Sequence, residues 1–166
     1  MIRQIFILAM VSALLCGCVL QSRVPLYSDG DGQLILGETG GPAQMSDWRD
    51  GKWVADKDQL RISVTAKHYK AENITMTFVP LKDEWLVLQA VEEGKSAVYL
   101  LAQAKGWAVE VWPLACADVK KNAAFATWIS YEGDDCFINP GAPAKELFAA
   151  SLANPGHATS RLELLP

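Results

Sequence analysis

Histidine is almost missing from this chain, with only His68 and His157 among 166 residues. Neither sits near a serine or cysteine in a known nucleophile setting, and the sequence has no GxSxG. Four cysteines include no CxxC pair, so a zinc site lacks ligands and no metal or cofactor is expected. Basic charge is also short: 15 Lys and Arg face 19 Asp and Glu, a net charge of −4, and the longest basic cluster is Lys120-Lys121. Phosphate binding requires a basic footprint, so nucleic acid is excluded as a partner. Internal repeats and low-complexity tracts are missing too. Asp29-Gly30-Asp31-Gly32 starts like a calcium loop, but Gln33, Leu34 and Gly40 stand where Asp or Asn, Gly and Glu are needed. A glycine-rich turn accounts for it. The adjacent carboxylates Asp83-Glu84, Glu92-Glu93 and Asp134-Asp135 read as solvated turns.

A membrane-spanning run is the last absence. Stretched from Ile5 to Leu20 the apolar segment covers 16 residues, ~24 Å as a helix, against a bilayer core of ~30 Å. It follows Arg3, and a basic n-region before a short h-region is the layout of a secretory signal. The run ends in Leu15-Cys16-Gly17-Cys18. This tetrapeptide resembles the bacterial lipobox, with Leu at −3 and Gly at −1 of an invariant Cys. It departs from the pattern at Cys16, where Ala or Ser is usual. The resemblance covers the first 18 residues or so and implies a thioether-linked diacylglycerol on Cys18, cleavage before it, and acylation of the new amino terminus, so that palmitate is incorporated. Cys16 as the lipidated residue would put Leu15 at −1, where the pattern needs a small residue. In that family an Asp after the Cys favours the inner membrane. Val19 stands here, which implies an outer-membrane anchor facing the periplasm, with the inner membrane as the alternative.

Loss of residues 1–17 leaves 149 residues, and the departure of Arg3 takes the net charge from −4 to −5. That length suits one domain. With Cys16 removed and Cys18 lipidated, Cys116 and Cys136 remain, and in an oxidising compartment an even pair reads as a disulfide. Residues 18–50 are rich in glycine and proline turns and read as a lipidated tether with a candidate short strand at Gln33–Leu36. Residues 51–166 read as one β-rich globular domain.

Period-two alternation begins after Lys52. Leu60, Ile62 and Val64 form one apolar face, and Ile74, Met76 and Phe78 another. Trp85–Val91 and Ala97–Ala102 form a hairpin that is apolar on both faces, so something must cover its outer side. Trp107–Trp112 is a further strand, ended by Pro113. Val119–Phe125 reads as a short helix with Asp118 as N-cap. A second helix starts at Pro143 and carries the stripe Leu147, Phe148, Ser151, Leu152. Arg161–Leu164 closes as a last strand. The expected class is mainly β with some α: an antiparallel meander of six to eight strands, curled into a partial barrel or sandwich, with one or two helices on its C-terminal side.

Six tryptophans are the main remaining signal. Parity puts Trp107 on a face with Val109 and Val111, and Trp112 on the other with Ala108 and Glu110. Trp85, Trp107 and Trp112 are the candidate contacts for an apolar ligand or an envelope protein. Three functions follow: a non-catalytic binding lipoprotein, a structural or assembly component of the envelope, and a hydrolase with a site dispersed over the fold. A ligand carrier predicts a cavity inside the sheet. A contact protein predicts a filled interior and an exposed apolar patch. An enzyme predicts His68 or His157 in a cleft beside a carboxylate and a hydroxyl.

Overall fold

The computed structural model describes residues 19–166. The lipobox and the signal fall outside the described residues. Eleven strands are present: β1 Leu20–Ser22, β2 Gly41–Arg49, β3 Lys52–Thr65, β4 His68–Ala71, β5 Ile74–Lys82, β6 Trp85–Glu92, β7 Ala97–Lys105, β8 Ala108–Pro113, β9 Ile129–Glu132, β10 Asp135–Ile138 and β11 Ser160–Leu164. Two helices, α1 Cys116–Lys121 and α2 Ala144–Ser151, complete the set. The expected class is borne out: mainly β, antiparallel, with two short helices late in the chain. The sheet closes fully. Strands run in the order β6-β5-β4-β3-β2-β11-β8-β7, and β7 pairs back with β6 to make an eight-stranded barrel. Closure leaves these strands no free edge.

Local chemistry explains most of this. The β2–β3 hairpin turns on Asp50-Gly51, both at positive φ (52° and 78°), the two-residue turn whose twist matches that of the strands. Alternate side chains then point inward. Ile62, Tyr69, Met76, Phe78, Leu88, Leu100, Val109, Val111 and Leu162 form one buried cluster inside the barrel. Phe78 and Tyr69 meet edge-to-face at 5.9 Å between ring centroids, and both are fully buried.

The two-faced hairpin has its cover. Outside β6, β7 and β8, Val87, Tyr99, Leu101 and Trp112 pack against Leu20, Cys116, Val119, Phe125, Cys136, Leu147 and Phe148. β1 extends the sheet here. It lies antiparallel to the start of β7 (Gln21 opposite Val98) and parallel to β10 (Leu20 opposite Cys136). Cys116 and Cys136 are joined as expected, their Cα atoms 5.6 Å apart, closing a loop of sequence separation 20. In the chain-entropy model such a loop contributes ~3 kcal/mol. Replacing both cysteines with alanine should therefore lower the melting temperature by on the order of 10 °C. Added reductant should lower the wild-type midpoint and leave the double variant unmoved. A reductant-insensitive wild type would contradict this.

The N-terminal stretch departs from the sequence reading. The segment 18–50, expected as a tether, belongs to the domain from its first described residue: Val19 and Leu20 are buried, and β1 and β2 both lie within it. Two of its glycines, Gly32 and Gly40, serve close approach. A Cβ on Gly32 would come 2.2 Å from the Lys67 carbonyl oxygen. Gln33–Leu36 is not a strand. Leu36 enters the lumen cluster, where its N–H donates to the Tyr69 hydroxyl at 2.7 Å, which in turn donates to the Gly37 carbonyl at 3.0 Å. Side-chain partners there replace a ladder. The first helix also starts earlier than expected, at Cys116, the residue bonded to Cys136. Asp118 lies in its first turn and pairs with Lys121 at 2.7 Å, and no side chain caps the helix.

Candidate functional site: an aromatic groove on the outside of the barrel

Because the β2–β3 turn has two residues, Trp48 and Trp53 sit directly opposite each other. Their rings meet edge-to-face at 5.1 Å, and Trp48 is 44% exposed. Trp48 N–H donates to the Thr159 carbonyl, and Thr159 N–H to Val111, so the segment before β11 links this pair to the end of β8. There Trp112 faces outward and packs on Trp85 at 4.7 Å and 65°. Trp48, Trp53, Glu110, Trp112, Gly156, His157 and Ala158 enclose an open groove of about 360 Å³. Gly156 also walls a second hollow of about 400 Å³, between α1 and the segment after α2, whose lining includes Leu114, Asp118, Val119, Phe125 and Pro155. Small-molecule sites span ~300–1,000 Å³ and bury most of their ligand. The Trp groove is at the low end of that range and stays open. Its size fits one or two side chains of a partner.

The three tryptophans singled out in the sequence separate. Trp112 lines the groove and Trp85 braces it from behind, whereas Trp107 projects from the β7–β8 turn, 74% exposed and outside the groove. Parity put Trp107 on a face with Val109 and Val111, which enter the barrel interior, but Trp107 lies in the turn before β8 and stays exposed. Trp48 and Trp53 are the contacts that the reading did not single out. Their signal was present: a two-residue Asp-Gly turn necessarily pairs the residues two positions to either side.

The groove's chemistry is limited. His157 and Glu110 share it, but no serine, threonine, tyrosine or cysteine hydroxyl or thiol lines it. The imidazole and carboxylate of the enzyme reading are present without its nucleophile. His68 is buried, with Nδ1 3.1 Å from Asp29 Oδ1 yet out of line for a hydrogen bond. It opens β4 and lies against the turn that carries Asp29-Gly30-Asp31. In that turn Ser28 N–H and Oγ both donate to Asp31 Oδ2 at 2.8 Å, which holds the Asp31 carboxyl below its usual range. Among the described residues, no three His, Cys, Asp or Glu side chains are grouped to hold a metal.

Polar burial elsewhere serves the fold. Gln89 Oε1 accepts from the N–H groups of Leu26 and Tyr27 at 2.9 and 3.0 Å, and Gln89 Nε2 donates to the Tyr27 carbonyl at 2.9 Å. One side chain thereby satisfies a segment that has no strand partner. The Tyr27 hydroxyl is buried without a hydrogen-bond partner, and burial first, then Tyr99, Asp31 and Glu146, pushes its pKa up to about 12. Burial raises Tyr69 and Tyr99 as well. The folded state holds these protons after the unfolded chain has begun to lose them, so stability is intact below pH ~10 and falls as pH rises towards 12. Tyrosinate absorbance at 295 nm and urea midpoints taken across that window check this. A midpoint that rises above pH 10 would contradict it.

Scans against family models and searches of curated proteins and solved structures find no match to this chain. The class is therefore set by the fold and the groove alone: a closed antiparallel barrel with a buried apolar cluster in its lumen and an aromatic groove on its outer face.

Proposed function

We propose that the protein is a non-catalytic envelope lipoprotein, anchored in the outer membrane through lipid on Cys18, that holds an apolar segment of another envelope protein in the Trp48–Trp53–Trp112 groove. The observation that carries this reading is the pairing of a filled lumen with exposed tryptophan. Phe78, Tyr69, Met76 and Leu88 occupy the space a carried ligand would need, while Trp48 stays accessible against Trp53. Tryptophan is enriched among residues whose truncation costs ~2 kcal/mol or more at interfaces. A wall of indoles with one carboxylate and one imidazole suits an apolar chain with a polar edge. The lipobox supplies the address and the groove supplies the contact.

A photo-crosslinking residue at position 48 or 157, in cells that make the protein, tests the reading. A discrete adduct to one envelope protein should form from both positions and not from position 107. Trp53→Ala should abolish most of it. A low-mass adduct from 48 would replace the protein partner with a small apolar ligand. Equal labelling from 48 and 107 would end the proposal.

A further inference from the structure

We infer that the surface around Val19, formed by the start of α1 and the β9–β10 turn, lies flush against the bilayer headgroups. The inference rests on the proposed lipidation of Cys18. Val19 is not at the end of a linker. It forms an antiparallel bridge with Ala115, Leu20 N–H donates to the Leu114 carbonyl at 2.9 Å, and Leu20 is fully buried. Consecutive Cα atoms are ~3.8 Å apart, so the lipidated residue is one peptide unit from a fixed point of the barrel wall. Acyl chains that enter the hydrocarbon core at residue 18 leave no length for the domain to stand off.

Register identifies the face. In the parallel pair of β1 and β10, Leu20 lies opposite Cys136, so the start of β1 lies beside the β9–β10 turn. Gln21 Nε2 donates to Asp135 Oδ1 at 3.2 Å and fixes the turn there. On the other side is Ala115, with Ala117 exposed in the first turn of α1. Charge does not hold this face to lipid. Asp118 is paired with Lys121 and Glu132 with Arg23, leaving Asp134 and Asp135 against Lys120. The covalent anchor fixes the orientation. Trp112 is three residues from Ala115, at most ~11 Å of extended chain, so the groove lies within that reach of this face. Trp107 precedes β8, six residues along the chain from Pro113 and ~20 Å away at ~3.3 Å per residue.

The processed lipoprotein has no other free thiol once Cys18 is lipidated and Cys116 is bonded to Cys136, so a single introduced cysteine takes a fluorophore cleanly. Ala117→Cys, Asp134→Cys and Trp107→Cys, each purified from membranes, are placed in vesicles of phosphatidylethanolamine and phosphatidylglycerol carrying a spin label on the headgroup. Labels at 117 and 134 should lose most of their emission and the label at 107 should keep most of its own, with or without phosphatidylglycerol. Protein that floats with the vesicles but shows equal quenching at all three positions, or most at 107, overturns the inference and leaves lipidation standing. Protein that does not float overturns the lipidation reading and this inference with it.

Discussion

Cys18→Ala should abolish palmitate uptake and either release the domain from the membrane fraction or leave an uncleaved precursor. One acyl chain gives only marginal binding, with a partition constant on the order of 10⁴ M⁻¹, whereas two or more hold firmly. Three chains on one residue make attachment effectively permanent, so their loss is an all-or-none change in location. Among the described residues no helix is long and apolar enough to cross a membrane. Cys16→Ala is the matched control. It should leave labelling and fractionation unchanged, because Cys16 leaves with the signal. A Cys18→Ala protein that still labels and still sediments with membranes would contradict the assignment.

Phe78→Ala should cost about 4 kcal/mol, within the ~3–5 kcal/mol typical of a buried Phe→Ala change. Phe78 is fully buried, packs on Tyr69, and stands in the cluster that joins strands from all round the barrel. Deleting the ring removes its transfer energy and leaves a void that a closed barrel cannot collapse. For a domain of this size the loss corresponds to on the order of 10 °C in melting temperature. Trp107→Ala, at a 74% exposed position, should stay within about 0.5 kcal/mol. The contrast bears on function, since a lumen built to receive a ligand would tolerate the loss of one lining ring. Urea unfolding of the two variants measures it. A Phe78→Ala cost under about 1 kcal/mol would indicate a loosely filled, carrier-like interior.

Several features of the fold were legible because they are local. Alternation at Leu60, Ile62 and Val64 and at Ile74, Met76 and Phe78 marks strands whose inner faces are the lumen. The double apolarity of Trp85–Val91 and Ala97–Ala102 required a covering layer, and α1, α2, β1 and β10 supply it. Other features depend on partners remote in sequence. Closure needs Leu162 opposite both Met45 and Val109, a register that no local pattern encodes. Residues 19–37 look loose because their backbone groups are satisfied by Gln89, Tyr99 and Tyr69, far along the chain. The site divides in the same way. The Trp48–Trp53 pair follows from one turn, whereas the arrival of His157 and Trp112 beside it follows only from the completed barrel.

The mass of the intact protein, extracted with detergent from the membranes of the organism that makes it, is the most direct test. A chain beginning at Cys18 and carrying a diacylglycerol thioether and an amide-linked acyl group is the expected result. A chain that retains residues 1–17, or one with a bare thiol at position 18, would leave the aromatic groove on a domain with no membrane to present it from.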